Sequence, residues 1–512
     1  MALAVPFLFR PPRSTAQALL QVTLIIVAVA LLCIPLADLQ LHQVAPWHEL
    51  GLIAEGVVTP HWQDPASLLE ATGLTVAFAL LAVTLAAPLG LLMAIYFHWR
   101  WLRITAAAIR SVHELFWGLL FMQVFGLSAV TGLLAILIPY CGVFAKVFAE
   151  IIEQQPRQPV STIDPASSRL LRHAYSLVPQ ALASMLHYVR YRFECALRSS
   201  AILGFIGLPT LGFHLETAFK QGQYSQAAAV LWVFLLMIAT VRYWLRPWLV
   251  IPWLLLSLWL LPSNPVPVSL DLAWQFVSVD IWPSALREGD WSRFGHWLWQ
   301  LLSEQALPGI LETLYLTQMA LALTALIILL CWPLASRRTA SQPVWFGGRF
   351  LLLILRSTPE MILAFVFLLL FGPSGLPAVL ALALHNGGLI AFLIANGNDV
   401  DHRQQQRPDD PHRLLRLAYL DNPRQYPAML ALLFYRWEVI MRESAMMGIL
   451  GIATLGFYID SAFSEIRFDR AFFLIVITAL LNIGVDAVSR RLRARYLPQV
   501  SRSSDDNLAA EA

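Results

Sequence analysis

Tyr191–Phe213, YRFECALRSSAILGFIGLPTLGF, returns 244 positions later as Tyr435–Phe457, YRWEVIMRESAMMGILGIATLGF, without a gap. Twelve of the 23 positions are identical. They are Tyr191, Arg192, Glu194, Arg198, Ser200, Ala201, Gly204, Gly207, Thr210, Leu211, Gly212 and Phe213, each with its partner in the second copy. Leucines match by chance in an apolar chain. A Tyr-Arg pair, a Glu, an Arg and three glycines in one register do not. The chain is a tandem repeat, and its period governs every later reading. Upstream, Arg169-Leu-Leu-Arg-His-Ala-Tyr175 matches Arg413-Leu-Leu-Arg-Leu-Ala-Tyr419 at the same offset.

The 512 residues are 58% hydrophobic and 13% charged, about half the charged share of an ordinary soluble domain. Long apolar runs alternate with short polar ones, the pattern of a polytopic helical membrane protein. Only Lys146 and Lys220 are lysines, and neither follows a glycine, so the chain has no Gly-Lys-Ser/Thr nucleotide loop of its own. Cys33, Cys141, Cys195 and Cys331 all lie in apolar segments without a CxxC pair and read as small membrane-embedded hydrophobes.

Arginine clusters divide the apolar runs into spans. Arg10 and Arg13 precede Ala16–Ala37, and Arg100 and Arg103 follow Leu69–Phe97. Spans over Ile104–Phe125 and Ala129–Ile152 come next, then the polar segment 154–178, a fifth span from Pro179, and a sixth from Gln226 to Leu245. The second half repeats the plan: Pro247–Leu261, Gly309–Ala335, Phe346–Phe371, Leu376–Ala395, a span opening at Pro423, and Arg470–Ser489. The expected fold is all-α, with twelve transmembrane helices as two parallel six-helix repeats over residues 1–246 and 247–496, and a disordered tail over 497–512. Arginines at each inner end place both termini in the cytoplasm.

Three constellations stand out. The Arg169, Leu170, Leu171, Arg172, Tyr175 helix and its copy Arg413, Leu414, Leu415, Arg416, Tyr419 are short, amphipathic and cytoplasmic. Such a helix docks a partner or lies flat on lipid headgroups; its occurrence in both halves favours docking. Glu194 and Arg198, like Glu438 and Arg442, are spaced i,i+4 within a span. They fit an anion-attracting path or a neutralised pair that fixes packing. Gly204, Gly207, Gly448 and Gly451 fit close helix approach or an irregular segment lining a cavity. Glu216 and Asp460 keep an acid just beyond. His113, His173, His187 and His385 are dispersed, and no ligand cluster or nucleophile–base set points to an enzyme.

The order Pro-x14-Glu-x3-Arg-x5-Gly-x2-Gly, Phe148-Ala-Glu-Ile-Ile-Glu153, Arg356-Ser-Thr-Pro-Glu360 with its weaker copy Arg110-Ser-Val-His-Glu114, and His385-Asn-Gly-Gly388 resemble the permease subunits of phosphonate-type ABC importers, twice over nearly the whole chain. The resemblance implies an inner-membrane permease without catalytic residues or cofactor of its own and a translocation path between its halves. It further implies two copies of a cytoplasmic ATPase carrying ATP and magnesium on the docking helices, and an external substrate-binding protein. The lipid bilayer is its other partner, and no nucleic acid is expected. The family's cytoplasmic Glu-Ala-Ala type loop is degenerate at Val160, Ser161, Thr162, Ala166 and Asp410, and the fusion of two permeases is a second departure. Importers of phosphate, phosphite or an amino acid, and an ion-coupled secondary transporter, are the alternatives.

Overall fold

The computed structural model describes residues 14–40, 46–62, 64–156, 164, 167–261, 270–404 and 413–496. The expected tail over 497–512 lies outside them. All regular structure among the described residues is helical. The first repeat runs α1 (Thr15–Cys33), α2 (Pro46–Val58), α3 (Pro65–Ile95), α4 (Arg100–Ser111), α5 (Glu114–Phe125), α6 (Ala129–Glu153), α7 (Arg169–Arg172), α8 (Val178–Ile202), α9 (Leu211–Lys220) and α10 (Tyr224–Trp244). The second runs α11 (Val250–Leu260), α12 (Leu270–Gln275), α13 (Ser284–Arg287), α14 (Trp291–Leu301), α15 (Leu307–Ala335), α16 (Gln342–Ser357), α17 (Glu360–Phe371), α18 (Gly375–Gln404), α19 (Arg413–Arg416), α20 (Asn422–Met446), α21 (Leu455–Ser464) and α22 (Phe468–Tyr496).

Among the described residues, seven helices are long and apolar enough to cross a membrane, and eleven spans result if each bent pair counts as one. The expected span Pro247–Leu261 is an 11-residue helix, α11, about 16 Å long at 1.5 Å per residue. That is short of a hydrocarbon core of about 30 Å.

The third spans are not straight. α4 and α5 meet at 92°, and α16 and α17 meet at 96°. Continuous apolar sequence hid these breaks. In the second copy the cause is Pro359, which has no N–H for the ladder and drives Thr358 to extended φ −72°, ψ 123°. In the first copy His113 stands there, and its Nδ1 accepts from Leu115 N at 3.2 Å, capping α5.

Two compact units form. The first takes Leu50–Trp291 and Arg467–Leu480; the second takes Ser292–Ile466 with the described residues before Leu50 and after Leu480. Each repeat's opening helix therefore packs in the other unit. α1 belongs with α15, and its Thr23 hydroxyl meets that of Tyr426 on α20 at 2.5 Å. α11 belongs with α3, where Gly73 lets Leu260 approach. The bounds of the sequence repeat and of the packing unit therefore do not coincide.

Candidate functional site

The short amphipathic helices α7 and α19 are continuous with the spans that follow. α7 passes through a π turn (His173–Leu177) into α8, and α19 through a π turn (Leu417–Asp421) into α20. Pro179 and Pro423 near the start of each span lack an N–H, and the ladder widens to i→i+5, with Val178 N bonded to His173 O and Asn422 N to Leu417 O. Leu170, Leu171 and Tyr175 are exposed, as are Leu415 and Tyr419; both tyrosines are 77% exposed. Arg172 is half-buried and Arg416 is buried. An ordinary surface helix turns its charges out, whereas these turn apolar groups out and charges in. Each repeat therefore leaves apolar side chains uncovered at this place. The side chains of Arg169, Arg413 and Leu414 lie outside the described residues, as do the degenerate loop positions Val160, Ser161, Thr162, Ala166 and Asp410.

The glycine-bearing segments fold as helix, 3-10 turn, helix. α8 leads through Leu203–Ile206 and α20 through Met447–Leu450. The two arms bend by 52° and 45°. Gly207 and Gly451 close the turns at φ +93° and +86°, a region costly for L side chains. Gly204 and Gly448 are needed for space. A Cβ there would lie 2.0 Å from Phe213 N or 1.9 Å from Phe457 N, inside backbone. These contacts account for the repeated glycines by close approach. Two threonines absent from the sequence reading hold the second arm: Leu211 N donates to Thr75 Oγ1 and Leu455 N to Thr313 Oγ1, each at 3.0 Å. Both satisfy a first-turn N–H that the helix cannot satisfy itself.

Glu194, Arg198, Glu438 and Arg442 are all half-buried on α8 and α20. Arg198 Nη2 donates to Cys195 Sγ at 3.4 Å. Six residues earlier on α8, Arg192 Nε donates to the Tyr188 hydroxyl at 2.9 Å and its guanidinium lies 5.4 Å from the Tyr140 ring centre. The repeats differ at the next position. Tyr140 and Ser199 hydroxyls lie 3.4 Å apart in the first, whereas Asn386 Nδ2 donates to the buried Glu443 at 3.0 Å in the second.

Two motifs quoted separately from the sequence meet at the second bend. His385 Nδ1 lies 2.9 Å from Thr358 O, at the break, and its Nε2 lies 3.9 Å from Glu360. Gly388 leaves room for Leu355 of α16, whose Cβ would be 2.6 Å from an added Cβ. The first bend keeps His113 Nε2 at 3.4 Å from Glu114, and Gly142 faces Ala106 O. His113 and His385 thus serve the bends. Among the described residues no group of three or more His, Cys, Asp or Glu could hold a metal.

These features define a polytopic membrane protein built twice over, each copy with a bent third span, a short amphipathic helix that runs into its fifth span, and a glycine-closed turn. The chain is 26% identical over 487 residues to the phosphate-import permease protein PhnE of Mycolicibacterium smegmatis, covering 87% of this chain and 88% of the relative. It is 31% identical over 196 residues to the phosphite transport system permease protein PtxC of Stutzerimonas stutzeri, covering 36% of this chain and 70% of that protein. The PhnE2 permease named for a cryptic phosphonate transport system in Escherichia coli K12 is 31% identical over 110 residues, 21% of this chain and 88% of the relative. No family model matches the chain, and no solved structure matches it. The chain belongs to the permeases of phosphonate-type ABC transport systems. It is a multi-pass inner-membrane transport subunit.

Proposed function

We propose that this chain is the whole membrane permease of an ATP-driven importer for a phosphorus oxoanion, with both permease copies on one polypeptide. The similarity over 87% of the chain to a phosphate-import permease carries this reading. Phosphonate, phosphite and phosphate share a tetrahedral phosphorus and negatively charged oxygens, which suit half-buried arginines such as Arg198 and Arg442. The exposed faces around Leu171, Tyr175, Leu415 and Tyr419 each receive one copy of a cytoplasmic ATPase, which holds the ATP and magnesium. An external binding protein delivers the anion, and both termini face the cytoplasm. ATPase closure moves the docking helices, and the continuous π turns carry that motion into α8 and α20. Alternating access then requires contacts that differ between the two states.

The test is uptake by liposomes holding the chain with its ATPase and binding protein. Labelled methylphosphonate, phosphite, phosphate and glutamate are supplied one at a time, with and without ATP. ATP-dependent uptake of a phosphorus oxoanion is expected. Uptake of glutamate alone, or uptake driven by an ion gradient without ATP, would overturn the reading.

A further inference from the structure

The two docking helices are not held alike. In the second repeat, Asp421 closes the π turn and is 1% exposed. It sits between Arg338 Nε at 3.2 Å and Arg416 Nε at 3.7 Å. Arg416 belongs to α19, the docking helix itself. Arg338 belongs to the connection Ser336–Ser341 that leaves α15. That connection is anchored in turn. Ser336 Oγ and Arg337 N donate to Asp399 Oδ1 at 2.7 and 2.9 Å. Arg349 of α16 donates to Asp399 Oδ2 at 2.9 Å and to Ala335 O at 2.7 Å. Asn398 of α18 donates to Ser336 Oγ at 3.0 Å. One polar network thus joins α15, α16 and α18, and the Arg338–Asp421–Arg416 triad is the link that extends it to the docking helix.

The first repeat lacks this link. Leu177 stands where the second has Asp421. Arg172, the copy of Arg416, is half-buried where Arg416 is buried. The connection Tyr96–Trp99 from α3 to α4 is shorter than Ser336–Ser341. Arg103 and Glu153, which correspond to Arg349 and Asp399 at a common offset, are both exposed.

A buried carboxylate between two guanidinium groups is costly to desolvate, and such a triad adds little stability over a packed apolar residue. Leu177 shows that an apolar residue serves at the equivalent place. What the charges add is a fixed geometry between a docking helix and the end of a span. We propose that Asp421 is the positioning residue through which the second docking helix drives α15, α16 and α18, so that the two docking helices actuate their repeats unequally. This rests on the reading of α7 and α19 as ATPase contacts.

The test is hydrogen–deuterium exchange on the complete transporter, purified through its ATPase, before and after trapping with ATP and orthovanadate. In the wild type, trapping changes exchange at 413–421 and at 336–357. Asp421→Asn and Arg338→Met each keep the change at 413–421 and reduce the change at 336–357 by roughly threefold or more. Leu177→Asn leaves the trapping response at 96–111 as in the wild type. A full response at 336–357 in either second-repeat variant overturns the proposal while the docking reading stands. No response at 169–177 or 413–421 in the wild type overturns the docking reading and the proposal with it. Variants whose exchange before trapping is already altered throughout 336–357 would show Asp421 to be a folding residue only, which also overturns the proposal.

Discussion

Gly207 and Gly451 show what single residues do here. Each closes a turn at a positive φ that an alanine adopts at a cost of about 1–2 kcal/mol. Gly207→Ala and Gly451→Ala are therefore expected to lower stability by about that amount in thermal unfolding of the detergent-solubilised chain. Gly204→Ala and Gly448→Ala should cost more, because the added Cβ meets backbone that cannot move aside. Thr75→Val or Thr313→Val removes the acceptor for a buried N–H, an expected loss of about 1–3 kcal/mol each in the same measurement. The arginines are a separate matter, since their expected effect falls on transport. Arg198→Ala with Arg442→Ala should lower anion uptake at least about tenfold, for about 1.4 kcal/mol of lost interaction, while the ATPase still co-purifies. Normal uptake would show that the Glu-x3-Arg pairs serve packing alone. The glycines and arginines were legible because they recur at 244 positions. Thr75 and Thr313 were not, because they lie 238 positions apart. The α3 and α15 register slips by six against the ungapped echo, and a threonine in an apolar run carries no signal by itself.

At the scale of elements, the amphipathic character of α7 and α19 was visible, but not which side faces out. An arginine is ordinarily the exposed partner of a leucine. Here Arg416 is buried and Leu415 exposed, because Arg416 flanks the buried Asp421. Leu171→Asp with Leu415→Asp is expected to release the ATPase, scored by co-purification from membranes, since a charge placed in an apolar contact loses its hydration. Each single variant should weaken binding less than the pair. Continuity of α7 and α19 with α8 and α20 was not legible either. Pro179 and Pro423 read as helix starts, whereas the chain passes them through π turns. The near-right-angle bends in the third spans were likewise hidden by apolar continuity, although the Arg-x-x-Pro-Glu motif that makes the second bend was in view.

For the whole molecule, the tandem repeat fixed the architecture from sequence, because polar matches in an apolar chain are informative. The exchange of opening helices was not legible. α1 and α11 are nearly all apolar, and hydropathy says that a helix is buried or lipid-facing without saying against which partner. Fusion of two copies on one chain also frees them to diverge, as the Asn386–Glu443 and Tyr140–Ser199 pairs and the Asp421 and Leu177 positions show. The central claim is that one chain supplies both permease copies for two ATPases. Native mass spectrometry of the complex, purified from its own membrane through a tag on this chain, tests it most directly. The account predicts one 57.4 kDa chain with two copies of an ATPase. Two copies of this chain in each complex, or a chain that emerges with no ATPase under conditions where other importers stay assembled, would contradict it.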